Sequence, residues 1–234
     1  MKMVRITLLA LLALPFPAFA GTYTPPEGCS VYMTVQSRQC RVSNHYTCVA
    51  DNPGDKWRAD FDQEGIFFNA RIDNETQWIE SFDMDPPDVQ RLGPNPADPA
   101  SFSELLADGR DDFEFNLDRD SGLNTTARGY DRLTGKTFVV DGIQLQETEF
   151  DFTEVDGAGN VVRRARGNEY VHPEWRLFFA GPSETEIEGQ MLPLDGSPLQ
   201  FIFPGEPGFA ATQPLFECDD VLSSLSLPDL RRFQ

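Results

Sequence analysis

Carboxylates and arginines are concentrated in one segment, residues 147–166, which reads ETEFDFTEVDGAGNVVRRAR. An acidic run passes through a glycine turn into three closely spaced arginines. Because arginine binds carboxylate and phosphate groups in a bidentate manner, the cluster could form an anion-binding or catalytic site. It could also form a hairpin in which opposite charges on two strands pair with each other.

A turn at residues 156–159 favours the hairpin. In that register Asp151 lies opposite Arg164, and Glu149 lies opposite Arg166. An anion site needs convergent unpaired donors, whereas this register uses two of the three arginines in ion pairs. The segment therefore predicts structural ion pairs among Glu149, Asp151, Arg164 and Arg166.

Other catalytic and metal-binding patterns are weak. Of the two histidines, His172 lies near Glu169 and Glu174, but Pro173 indicates a strand end and a structural role. Residues 118–124, DRDSGLN, have the glycine one position too early for a calcium loop, so we expect a β-turn. Two carboxylates suffice for hydrolysis, but the sequence does not select a pair among 38 acids. We predict no catalytic residue, no metal and no cofactor.

The four cysteines indicate disulfides. Cys29, Cys40, Cys48 and Cys218 lack the C-x-x-C spacing typical of zinc and redox sites. An even number of cysteines in an exported chain predicts two structural bridges, with three possible pairings. Any bridge made by Cys218 ties the C-terminal region to the N-terminal part of the chain.

The first twenty residues predict export. They carry Lys2 and Arg5, then a short apolar run, then the small-x-small motif at residues 18–20. This pattern is typical of a secretory signal peptide, and no apolar run reaches the length of a membrane helix. We expect a signal peptide at residues 1–20 and a single periplasmic or secreted all-β domain at residues 21–234.

The charge of the chain argues against two classes of partner. The sequence has 38 acidic and 19 basic residues, a formal net charge of −19. Nucleic acids and anionic membrane surfaces repel such a protein.

Strict alternation of apolar and polar residues predicts strands that form a meander. In residues 56–62, KWRADFD, we expect Trp57, Ala59 and Phe61 to face a core and the charged residues to face solvent. Residues 66–73, 76–83 and 111–118 follow similar patterns, and tight turns separate the first three of these strands.

Two short helices and one long loop interrupt this pattern. Residues 85–100 contain five prolines and predict a loop. Ser101 and Glu104 form a capping-box pattern, and Gly109 marks the end of the helix. A second helix is expected within residues 219–228, ahead of Pro228.

The predicted fold is mainly β, a single antiparallel meander sheet in a half-open barrel or sandwich-like form, with two short helices. Our leading hypothesis is a non-enzymatic exported protein that binds an apolar ligand or a periplasmic partner protein. The alternative is a periplasmic carboxylate-dependent hydrolase. Binding candidates are Phe201, Phe203 and Phe209, since the short proline-bounded strand before residue 204 is expected at a sheet edge with Phe209 on a tight loop.

Overall fold

The structure is a computed structural model that describes residues 21–187 and 189–218. The predicted signal peptide and the predicted second helix lie outside these residues. The strands are β1 Cys29–Ser37, β2 Arg41–Cys48, β3 Lys56–Asp62, β4 Gly65–Ile72, β5 Trp78–Met84, β6 Pro87–Leu92, β7 Arg110–Arg119, β8 Thr125–Val140, β9 Ile143–Asp156, β10 Val161–His172, β11 Leu177–Ile187, β12 Gln190–Asp195 and β13 Pro198–Ile202. The helix α1 is Phe102–Asp108.

These strands form one antiparallel sheet whose order confirms the predicted meander. From β1 to β12 each strand pairs with the next along the chain, and β13 returns to pair with β1. The edges are therefore β12 and β13, and no hydrogen-bonded ladder joins them. The edge position predicted for the strand before residue 204 is confirmed.

Side chains bring the two ends of this open sheet together. A buried apolar cluster joins Met33 and Val35 of β1 and Phe201 of β13 to Tyr170 of β10 and Phe179 of β11. The rings of Phe179 and Phe201 lie 5.2 Å apart in an edge-to-face arrangement. The sheet is thus bent round on itself, with one face inside, which we call the interior face.

The helix α1 matches its sequence signals. The Ser101 hydroxyl accepts a hydrogen bond from the Glu104 amide at 3.2 Å, and Gly109 ends the helix with φ 78°. Phe102 and Leu105 are buried against Val171 of β10, so the helix covers part of the interior face. Within the described ranges, no helix has the length and apolar character needed to cross a membrane.

The long loop predicted for residues 85–100 is wrong in part, because β6 lies inside it. Pro87 is the first residue of β6, a position where the missing N–H of proline is tolerated. The three prolines that follow all lie beyond Leu92. The sequence analysis missed this strand because five prolines in the segment indicated a loop.

The alternation of β3 is confirmed, but its polar face is not in solvent. Ala59 and Phe61 join one apolar cluster, as predicted. Asp60, expected outside, is 0% exposed and forms an ion pair with Arg58 at 3.0 Å. In this strand the polar face is the interior face.

The predicted register of the β9–β10 hairpin is wrong by two residues. Arg164 lies opposite Thr153, and Arg166 lies opposite Asp151. The Asp156 amide donates a hydrogen bond to the Asn160 carbonyl, so the loop is longer than predicted and shifts the register. A bulge near Val161 shifts it further.

The four predicted ion-pairing residues consequently do not pair with one another. Arg166 pairs with Glu184 at 2.9 Å, while Glu149 pairs with Arg132 of β8 at 2.9 Å. Arg164 approaches Glu186 at 3.8 Å. Most of the charge pairing of β9 and β10 is therefore made with their outer neighbours, β8 and β11.

The structure confirms two disulfides and selects their pairing. Cys29–Cys48 joins the first two strands across a separation of 19 residues, whereas Cys40–Cys218 spans 178 residues. The longer bridge fixes the end of the described chain to the turn between β1 and β2.

We expect the longer bridge to stabilise the fold more, because a cross-link over a longer loop removes more entropy from the unfolded chain. The loop-entropy relation gives about 3 kcal/mol for the short bridge and about 5 kcal/mol for the long one. Urea unfolding of the Cys40→Ser/Cys218→Ser variant, with Cys29→Ser/Cys48→Ser as the matched control, measures both losses. A larger loss in the control variant would contradict this ranking.

Candidate functional site

The bent sheet encloses a cavity of about 800 Å³. One wall is aromatic and is built from Trp78, Phe113, Phe115 and Phe152. The Trp78 ring lies 5.6 Å from Phe152 and 6.1 Å from Phe115. Trp78 remains 38% exposed, so part of this wall is open to solvent.

The alternation of β7 and one glycine of β8 create this wall. Phe113 and Phe115 are two residues apart and therefore share the interior face. Gly129 lies between Phe113 and Phe152 in the ladder. A Cβ at Gly129 would lie 2.0 Å from the Asp151 carbonyl oxygen and 3.0 Å from the Phe113 ring, so only glycine fits there.

A buried ion-pair cluster lies beside the aromatic wall. Fully buried Glu154 contacts Arg119 and Arg163 at 3.4 Å each. Its carboxylate also accepts a hydrogen bond from the Thr125 hydroxyl at 2.6 Å. The Arg163 guanidinium lies 4.4 Å from the Phe152 ring centre. Burial lowers the pKa of Arg163, and Glu154 opposes this shift. We call Arg119, Glu154 and Arg163 the arginine–glutamate cluster.

Three acids form a second group on the interior face, which we call the carboxylate cluster. Asp111 of β7 lies directly opposite Asp131 of β8, and Glu169 lies on β10. Asp131 and Glu169 line the cavity. Asp111 is 4% exposed and accepts a hydrogen bond from the Ser101 amide at 2.9 Å.

Burial changes the proton affinity of all three acids. It raises the pKa of Asp111 to about 6 and that of Glu169 to about 7, with Arg58 partly opposing the shift at Glu169. The pKa of Asp131 is also raised, first by burial and then by repulsion from Glu169 and Asp111. Neighbouring carboxyl groups with little water cannot all ionise together, so the cluster retains protons near neutral pH.

The chemistry open to this site follows from these groups. A protonated carboxyl group donates a hydrogen bond or a proton, and an ionised one attracts a cation. His45 also lines the cavity, but burial, Arg58 and Arg41 lower its pKa to about 3, which keeps it neutral. In residues 21–187 and 189–218, no three histidine, cysteine or acidic side chains are grouped to hold a metal ion.

The predicted phenylalanine site lies elsewhere. Phe201 is 3% exposed and belongs to the core cluster, so its expected place in a surface patch is wrong. Phe203 is partly buried on Trp175, at 5.9 Å between ring centres. Neither residue lines the cavity, nor does Phe209. The turn before Phe209 is confirmed by the hydrogen bond that its amide donates to the Glu206 carbonyl, and a binding role for Phe201, Phe203 and Phe209 stays a prediction.

His172 is also separate from the cavity-lining residues. Its ring stacks on Trp175 at 3.8 Å, and its Nδ1 accepts a hydrogen bond from the Trp175 amide at 3.2 Å. Burial lowers the pKa of His172.

Sequence reasoning missed both clusters because each depends on strand register. Asp111 and Asp131 are twenty residues apart and become neighbours only through the β7–β8 ladder. Arg163, which the predicted register left on the opposite face from the ion pairs, is the arginine that lies opposite Glu154. The sequence did contain one signal for a buried charge: Arg163 is two residues from Ala165, so it lies on the same face of the strand as an apolar residue.

A comparison with protein-family models, with curated proteins and with solved structures finds no match for this chain.

We expect Arg163→Gln to destabilise the protein by about 3 kcal/mol, because it leaves the buried Glu154 with one cation fewer. The adjacent Arg164 is exposed, and its distance of 3.8 Å from Glu186 is long for an ion pair. Arg164→Gln should therefore lower the free energy of unfolding by less than about 1 kcal/mol. Chemical denaturation of the two variants measures the difference. Equal losses would show that the arginine–glutamate cluster contributes nothing beyond a surface pair.

The pKa of Glu169, about 7 against an ordinary 4.5, predicts a pH-dependent stability. The folded chain holds a proton that the unfolded chain releases, so this contribution is present below about pH 4.5 and is lost as pH rises through about 7. Glu169→Gln should remove it. Between pH 4.5 and pH 8 the free energy of unfolding of the variant should rise by about 1–2 kcal/mol relative to that of wild type, since one pKa unit equals about 1.4 kcal/mol and the open cavity screens part of the effect.

Urea unfolding at these two pH values tests the prediction, and Glu184→Gln on the outer surface is the matched control. The Glu169 variant and the control should differ in their pH dependence. Parallel stability curves for both variants and wild type would contradict the assigned proton uptake.

Proposed function

We propose that this chain is an exported, non-enzymatic β-sheet protein that binds an apolar small molecule inside its bent sheet. The observation that carries the proposal is the cavity of about 800 Å³ with its aromatic wall. Small-molecule sites typically occupy about 300–1,000 Å³ and are lined mainly by apolar and aromatic side chains with a few polar groups.

The polar groups around the cavity are compatible with an apolar ligand. Glu154 lies between two arginines, and Arg119 also approaches Asp88 at 3.5 Å, so the charges of this cluster are offset within the wall without a charged ligand. Trp78 and Phe115 offer ring surface to the cavity. Burial of such surface supplies the main driving force for binding an apolar molecule.

A small ligand is favoured over a protein partner. A protein interface needs a contiguous apolar patch, whereas the cavity already gathers its apolar groups in one place. Export is supported by the signal-like first twenty residues and by two disulfides, which form in oxidising compartments.

The alternative function is a carboxylate-dependent hydrolase. The observation that favours it is the burial of Asp131 and Glu169 in one cavity, which raises the pKa of both, with repulsion from Glu169 raising that of Asp131 further, so that a proton stays available beside a second carboxyl group. Turnover of chromogenic glycosides that is lost in Asp131→Asn would support this alternative against simple binding.

The proposed function predicts that filling the cavity blocks binding. Ala165→Phe adds a ring on the cavity side of β10, whereas the control Arg164→Phe adds the same ring one residue away on the opposite face. Saturable binding of the neutral fluorescent probe N-phenyl-1-naphthylamine should weaken by about tenfold or more, about 1.4 kcal/mol, only in Ala165→Phe.

Native mass spectrometry of protein purified from its own cells provides the second measurement. A bound small molecule should be present in wild type and Arg164→Phe and lost from Ala165→Phe. Equal probe binding by both variants would place the binding site outside the cavity. Absence of probe binding to wild type would refute the proposal.

A further inference from the structure

The carboxylate cluster borders the space that a ligand would occupy. In the sheet, Asp131 is followed across β9 and β10 by Phe150 and then by Gly167, which has no side chain. Glu169 lies two residues further along β10 on the same face. A side chain at Gly167 would meet the backbone of Pro182 and Ser183, so the space open to a ligand beside the two acids is the cavity that both of them line.

The arginines that line the cavity already have acidic partners. Arg58 pairs with Asp60 at 3.0 Å, and Arg71 pairs with Glu80 at 2.7 Å. Arg119 and Arg163 both contact Glu154. By contrast, no arginine or lysine of the described chain lies within ion-pair distance of the three acids of the carboxylate cluster, and Arg58 only partly offsets the charge of Glu169.

Buried polar atoms next to the cluster also lack partners. Thr148 is 0% exposed and lies directly opposite Glu169, so their side chains share the interior face. Its hydroxyl has no hydrogen-bond partner in the described part of the chain, and neither has Oδ1 of Asp111. Buried polar atoms are nearly always satisfied in folded proteins, so both atoms can form a hydrogen bond with a polar group that binds beside them.

We propose that the ligand carries an amine, and that its ammonium group is held at Asp131 and Glu169, with Asp111 behind them, while its apolar body lies against the aromatic wall. This inference rests on the proposed function. It narrows the ligand class from apolar molecules in general to cationic amphiphiles.

An ammonium group meets the requirements of this site. It offers three hydrogen-bond donors and a positive charge in a compact group, and charge-assisted hydrogen bonds to carboxylates are among the strongest in proteins. The cation also offsets the repulsion between Asp131 and its acidic neighbours. A carboxylate head group would add a further negative charge beside the three acids and should be rejected.

Three probes with the same alkyl chain test the head group: n-octylamine, 1-octanol and octanoate. Alkyl amines, like the lysine side chain, are cationic at neutral pH. Isothermal titration of wild type should show octylamine binding about tenfold or more tighter than octanol, a difference of about 1.4 kcal/mol, with octanoate the weakest.

The variants assign this preference to the cluster. In Asp131→Asn and in Glu169→Gln the amine preference should fall to about threefold or less, while octanol binding, which also reports that the variant is folded, stays within about twofold of wild type. Glu184→Gln, on the outer surface, should keep the full preference. Either cluster variant alone suffices if the other does not fold.

Other outcomes overturn the inference in recognisable ways. Octanoate binding as tightly as octylamine would place the head group at the arginine–glutamate cluster. An amine preference that persists in both cluster variants would place it elsewhere on this acidic chain. Equal binding of octanol and octylamine would refute the amine inference and leave the proposed function standing, whereas binding of none of the three probes would refute both.

Discussion

The return of β13 to β1 is the interaction on which the rest of the structure depends. A meander of twelve strands could remain an open ribbon, but β13 extends the sheet beyond β1 and carries Phe201 into contact with Phe179 of β11. The apolar cluster formed there holds the two ends of the sheet together without a ladder of hydrogen bonds between them. Because this contact bends the sheet, one face becomes an interior and the cavity exists.

Bending of the sheet places charged side chains where water is limited. Some of these charges are compensated by ion pairs, and others are reduced by protonation. Glu154 is fully buried between two arginines and a threonine hydroxyl, so its charge is compensated locally. Asp131 faces acids instead, and burial with mutual repulsion raises its pKa. In the same low-dielectric interior the arginine–glutamate cluster is thus compensated by its own ion pairs, whereas the carboxylate cluster has no ion-pair partner in the described chain.

Short-range signals in the sequence predicted several of the elements, although not β6, and were insufficient for the site. Alternation and turn residues predicted β3, and the Ser101 and Gly109 caps predicted α1, since each depends on a few neighbouring residues. The hairpin register failed because the turn at Asp156 includes Asn160 and a bulge follows it. A shift of two residues keeps each side chain on its face of the sheet but changes the residue opposite to it. Arg163 therefore lies opposite Glu154, and the predicted ion pairs do not form. The carboxylate cluster combines three strands and goes against the expectation that like charges avoid each other across a ladder.

The incomplete cluster links the stability of the protein to its proposed function. Three buried acids, of which only Glu169 is partly offset by an arginine, destabilise the folded state once they ionise, and proton uptake relieves only part of the repulsion. A core optimised for stability alone would place apolar side chains at these positions. A ligand that binds the folded state and supplies the missing charge stabilises it in proportion to its affinity and concentration, because binding and folding are linked. The proposed ligand would account for the placement of Asp111, Asp131 and Glu169 beside an aromatic cavity, because its ammonium group would add to the partial compensation that Arg58 gives Glu169.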